Sequence, residues 1–145
     1  MKILIAADHA GFDHKQKILK LLPEFQWTDL GPATADRVDY PDFAEKLSKE
    51  ILKGTAPLGV LICGTGIGMS IAANKVKGIR AAVVENPVSA QLSREHNHAN
   101  VLCLGSRIVA PEYAAEIIRA WIKTPGSQDQ RHLARVKKIS DIESK

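Results

Sequence analysis

Val60-Leu61-Ile62-Cys63-Gly64-Thr65-Gly66-Ile67-Gly68-Met69-Ser70-Ile71-Ala72-Ala73-Asn74-Lys75 decides how the chain is read. Its opening run is apolar without alternation, the pattern of a strand buried on both faces. Three glycines, Gly64, Gly66 and Gly68, then turn the backbone, and a small-residue helical segment follows to about Val76. A thiol, Cys63, stands at the strand's end, where open α/β sheets place their ligand crevices. Closely spaced glycines let backbone N–H groups approach a ligand without Cβ obstruction, and a helix start adds partial positive charge. A base facing such a nest suits a developing oxyanion. The same pattern also describes an ordinary βα connection with a small buried cysteine.

Working outward, Lys2 to Ala7 reads as a first buried strand and Phe12 to Leu22 as a helix that stops at Pro23. Phe25 to Leu30 is a weak second strand closed by Gly31-Pro32, and after a loop a helix runs from Tyr40 to about Lys53-Gly54. Leu58 to Ile62 is the third strand. Beyond the glycine turn come a strand over Ile79 to Val84, a helix over Pro87 to Asn97, and a short strand over Val101 to Leu104. Pro111 to Ile122 is a helix with proline in its first turn. A polar loop leads to a charged helix over Arg131 to Glu143. Five strands alternating with helices predict a Rossmann-like three-layer α/β/α sandwich with a five-stranded parallel sheet. Residues 1–145 read as one domain, without repeat, low-complexity segment or linker.

The totals narrow the function. The 145 residues are 45% hydrophobic and 25% charged, with net charge +4 and the two signs interspersed. No basic stripe of the nucleic-acid kind is present, and no apolar run approaches a membrane span. Mild basicity suits a small anionic substrate. Two cysteines, Cys63 and Cys103, form no disulfide framework and point to a reducing compartment. Met1-Lys2-Ile3-Leu4-Ile5 enters a strand directly, without a signal-peptide pattern, so a cytoplasmic location is expected.

Three polar clusters fall at strand C-termini: Asp8-His9, Cys63 to Gly68, and Gly105-Ser106-Arg107. A doubly wound sheet gathers such ends along one edge, so an acid, an imidazole, a thiol, a donor nest and a guanidinium converge there. Taken singly, Asp8 reads equally well as a helix N-cap and Arg107 as a surface charge. His96-Asn97-His98 closes a helix, where imidazoles also complement the dipole. No paired Cys/His spacing supports a metal. Arg131 and Arg135 share a helix face and can clamp a phosphate, or stand as solvated arginines beside Lys137 and Lys138. Gly64-Thr65-Gly66 with Glu85 mimics a dinucleotide fingerprint, but the third glycine fails in both registers, at Met69 and at Ile71.

Together these residues resemble the type B ribose-5-phosphate isomerases, in the family that includes bacterial galactose-6-phosphate isomerase subunits. The resemblance runs through Ala7–Gly11, Arg37–Asp42, Ile62–Lys75, Ser89–Asn97, Asn100–Leu102, Gly105–Arg107, and Arg131-His132 with Arg135. It implies an aldose–ketose isomerase of the non-oxidative pentose phosphate branch, acting through a cis-enediolate without cofactor or metal. By resemblance Cys63 is the base between C2 and C1. Some members instead carry a glutamate at the position of Ala72, so this chain looks like the cysteine branch. A thiol must be partly ionised to act so.

By the same resemblance, the amides of Gly64, Gly66, Ile67 and Gly68 with Thr65 stabilise the enediolate. His96 and Asp8 open the sugar ring, and Asn97 and Tyr40 line the sugar. His9, Arg107, Arg131 and Arg135 hold the phosphate. Family members are homodimers or dimers of dimers with shared sites, and the last helix crosses to the neighbouring subunit. His98 is a local departure, where relatives often carry an acid or a small polar residue. Two rival readings are the same chemistry on allose or galactose 6-phosphate, and a non-catalytic sugar-phosphate or nucleotide-binding module.

Overall fold

In a computed structural model that describes residues 1–144, each apolar run becomes a strand and each amphipathic stretch a helix. The order is β1 (Lys2–Ala7), α1 (Phe12–Leu21), β2 (Gln26–Asp29), α2 (Tyr40–Leu52), β3 (Leu58–Cys63) and α3 (Ile67–Ala73). Then follow β4 (Ala81–Val83), α4 (Pro87–Asn97), β5 (Val101–Gly105), α5 (Pro111–Lys123) and α6 (Gln130–Ile142). The sheet is parallel throughout, in the order β2-β1-β3-β5-β4.

Alternate strand residues face opposite layers, as the pleat requires. Ile3, Ile5, Val60, Ile62, Leu102 and Leu104 pack with Ile18, Ala90, Ile118 and Trp121, placing α1, α4 and α5 on one face. Leu4, Ala6, Leu61, Cys63 and Cys103 pack with Leu47, Met69 and Ala73, placing α2 and α3 on the other. The central strand β3 is buried along its whole length, which explains its unbroken apolar run. Among the described residues no helix is long and apolar enough to cross a membrane.

Two features position the site. The chain changes its direction of growth between β1 and β3, so a crevice opens at their carboxyl ends. The order also inserts β5 between β3 and β4, with Cys63 paired to Gly105. The end of β5 therefore lies about 4.8 Å from the end of β3, one strand spacing rather than two.

β4 and α3 are shorter than the sequence expectation. β4 is confined to Ala81–Val83, because the Ile79 N–H is taken by a turn bond to the Val76 carbonyl. The Asn74 side chain then brackets Ala81, accepting from its N–H at 2.8 Å and donating to its carbonyl at 2.9 Å. α3 accordingly ends at Ala73 rather than Val76. The last helix, α6, has no buried residue; it lies beside α4, and Glu143 beyond its end accepts from the Gly78 N–H at 2.9 Å.

Candidate active site

Three strand ends meet at one edge of the sheet. The Asp8 N–H donates to the Ile62 carbonyl at 3.1 Å, the Ser106 N–H to Cys63 at 2.8 Å, and the Arg107 N–H to Gly64 at 3.0 Å. These bonds tie the ends of β1, β3 and β5 into one surface. Asp8 is buried, and its Oδ1 accepts from the Gly11 N–H at 2.9 Å. His9 is half-buried, with Nδ1 lying 3.2 Å from the Val38 carbonyl, so the loop before α2 sets its ring. Ser106 donates its hydroxyl to the Ala10 carbonyl at 2.8 Å and closes the surface from the β5 side.

The glycine turn has the geometry its sequence implies. Cys63 is buried, and its sulfur accepts the Gly66 N–H at 3.1 Å. Gly66 adopts a φ of 78°, a left-handed conformation that glycine takes without Cβ strain. The Thr65 hydroxyl accepts from the Ile67 N–H at 3.3 Å. The Arg107 guanidinium lies over Gly64 and the Tyr40 ring over Gly68, each where a Cβ would stand within 3 Å of it. The glycine turn that follows the thiol is thus covered by a guanidinium at Gly64 and a phenol at Gly68. Cys103 packs in the same layer, but burial first, and then neighbouring Cys63, push its thiol far up, which leaves it a protonated core residue.

The remaining predicted residues lie elsewhere. α4 runs antiparallel to the strands, so His96 and Asn97 end at the opposite edge, just before β5 begins. There Asn100 accepts the Gly59 N–H at 3.0 Å with its carbonyl, beside the start of β3. Four steps along β3 separate that level from Cys63, about 13 Å. His96 stacks on His132 of α6, with ring centroids 4.2 Å apart. Arg131 and Arg135 are exposed on the same helix. Arg131 pairs with Asp129, the α6 N-cap, at 3.0 Å, and this hydrogen bond leads the causes that lower the Asp129 carboxyl to about 2. One chain therefore unites Asp8, His9, Tyr40, Cys63, Thr65, Gly64–Gly68 and Arg107, and separates from them His96, Asn97, Arg131 and Arg135.

Two contributors escaped the sequence reading. His132 is visible only as a histidine beside Arg131, and no spacing signals its stack on His96. Lys15 is fully buried, donating to Asp29 at 2.7 Å and to the Pro32 carbonyl at 2.9 Å. It anchors the start of the loop whose end, at Val38, meets His9.

A parallel-sheet protein with a thiol and a donor nest at its switch point is built for proton transfer beside an oxyanion. The chain belongs to the Ribose/Galactose Isomerase family, whose model matches residues 3–139. It is 45% identical to the ribose-5-phosphate isomerase B of Escherichia coli over 148 aligned positions, covering 99% of this chain and 97% of that protein. Its fold matches the Clostridium thermocellum ribose-5-phosphate isomerase B with a TM-score of 0.95 at 46% identity, covering 99% and 98% of the two chains. The Mycoplasma genitalium enzyme with bound ribulose-5-phosphate matches with a TM-score of 0.92 at 42% identity, covering 99% and 97%.

Proposed function

We propose that this chain interconverts D-ribose 5-phosphate and D-ribulose 5-phosphate, with Cys63 as the base. The observation that carries this reading is the Cys63 sulfur accepting the Gly66 N–H of a glycine turn over which the Arg107 guanidinium and the Tyr40 ring lie. Similarity at this level to named type B isomerases supports the substrate.

The chemistry follows from those positions. On the open-chain aldehyde, the Cys63 thiolate takes the C2 proton, and the C–H electrons form the C1=C2 bond of a cis-enediolate. Negative charge develops on O1, where the Gly64–Gly68 amides and Thr65 donate. The Gly66 hydrogen bond strengthens whenever the sulfur carries charge. A proton then passes from O2 to O1. Cys63 returns its proton to C1 as O2 becomes the ketone oxygen. The reaction is redox-neutral, so the protein needs only to move protons and hold charge. His9 and Arg107 lie at the same edge to receive the phosphate.

His96 and Asn97 complete the site from a second copy of the chain in this reading, together with Arg131 and Arg135 as phosphate ligands. Their place at the far edge supports it, because within one chain they face away from Cys63. Exposed apolar side chains support it too: Ile67 and Ile71 on α3, Val88 and Leu92 on α4 across the sheet, and Ile139 and Ile142 on α6. Two of these helices begin at the Cys63 edge. A homodimer, or a dimer of dimers, would cover such side chains and bring one copy's α4–α6 end to the other's crevice. Ring opening then falls to Asp8 of one chain and His96 of the other. One isomerase domain over 1–145 and a cytoplasmic location belong to the same reading, consistent with two unpaired cysteines.

The test is turnover of ribose 5-phosphate by purified protein in EDTA, beside allose 6-phosphate. Rapid formation of ribulose 5-phosphate is the expected result. Turnover of the six-carbon sugar alone would replace the substrate, and no turnover of either by folded dimer would overturn the reading.

A further inference from the structure

The amino edge of the sheet carries a cleft that the isomerase chemistry does not use. Its volume is ≈ 680 Å³, and Arg80, Arg94, His98, Asn100, Lys123 and Met1 are among its lining residues. Among the described residues no carboxylate lines it, and neither arginine makes a salt bridge.

The two guanidiniums are held in place. Arg80 Nε donates to the Asn97 and His98 carbonyls at 3.1 and 3.2 Å, and its Nη2 to His98 at 3.1 Å. Arg94 Nη1 donates to the Ala99 carbonyl at 2.8 Å and its Nε to Thr124 at 3.3 Å. Arg94 also lies over the Trp121 ring, 5.7 Å from its centroid. Those carbonyls, at the C-termini of α4 and α5, supply about half a negative charge per helix against two full positive ones. Burial first, and then neighbouring Arg80, lower the Arg94 pKa, the mark of a cation short of counter-charge. Each arginine leaves one terminal nitrogen, Nη1 of Arg80 and Nη2 of Arg94, without a partner among the described residues. Lys123 stands exposed at the rim.

We propose that this cleft is a second anion site, taking a phosphate group between Arg80, Arg94 and Lys123, on the sheet edge opposite Cys63. Guanidinium forks already fixed by carbonyls lose little freedom on binding phosphate. The phosphate can be inorganic or part of a small ester. The site is independent of the isomerase reading and stands if that reading falls.

Backbone-amide NMR of the intact dimer, titrated with inorganic phosphate against chloride of equal ionic strength, tests it. The amides of Ile122, Lys123, Thr124 and Gly126 and the Arg80 and Arg94 Nε–H signals should shift and saturate, with a dissociation constant on the order of 1 mM. Lys123→Glu, a change at an exposed position, should weaken that response about tenfold. Arg107→Ala should weaken the response of amides 64–68 and leave that of Ile122, Lys123, Thr124 and Gly126 unchanged, which separates the two sites. A parallel titration with glycerol 3-phosphate distinguishes an ester from free phosphate by the tighter response. Shifts that stay linear throughout for both anions, or an identical titration in Lys123→Glu, would overturn the proposal.

Discussion

Mixing Cys63→Ala protein with His96→Asn protein probes the division of the site between two edges of the sheet. Cys63 ends β3 and His96 nearly ends α4, which runs the other way. Nine helical steps from Pro87 to His96 carry the chain about 13 Å from the Cys63 edge, in agreement with the rise of β3. No side-chain rotation spans that gap. If each site takes Cys63 from one chain and His96 from the other, both parent proteins are inactive. A mixed dimer then holds one doubly defective site and one site intact in every residue. Free exchange makes about half the dimers mixed, so activity should return to about a quarter of wild type. The assay is ketose formation from ribose 5-phosphate after mild dissociation and reassociation, with mixed dimers counted by native mass spectrometry. No recovery, with mixed dimers demonstrated, would mean that His96 serves its own chain's Cys63 and that the distance argument is wrong.

Other perturbations address single residues. Cys63→Ala should lower kcat by at least about a thousandfold with little change in KM if, as proposed, the thiol moves the proton and the phosphate is held elsewhere; near-normal turnover would remove it as base. Lys15→Met should lower the unfolding free energy by about 2 kcal/mol in urea titrations, because the Pro32 carbonyl loses its buried donor while half-exposed Asp29 retains the Gly31 N–H. His14 is buried on α1, and burial first, then the Lys17 charge, depress its pKa against an opposing pull from Glu112. Its neutral form therefore stabilises the fold above the unfolded value near 6.5, and that contribution is lost as pH falls through the lower folded value. His14→Gln should flatten the acid limb of a stability–pH curve, and an unchanged limb would place the titration elsewhere.

Parallel strands all end on the same edge, so Asp8, Cys63 and Arg107 could be assigned to one surface from apolar runs and the residues that follow them. Their order across the sheet could not. Hydrophobic periodicity says which face a side chain takes, not which strand is its neighbour, and Arg107 reaches Gly64 only because β5 lies against β3. The limits of β4 were hidden for a related reason: Ile79 and Arg80 look like strand residues, but a turn bond and the Asn100 side chain take their N–H groups. His96 is the instructive case. The family motif groups it with Cys63, and that grouping invites the picture of one crevice in one chain. Yet the expected order alone, strand then helix then parallel strand, requires α4 to return from the carboxyl edge to the amino edge. Its last residues must therefore stand where β5 starts. Motif residues and chain direction conflict within a single copy, and two copies meeting end to edge reconcile them. The proposed shared site thus agrees with the direction of α4 as well as with the motif.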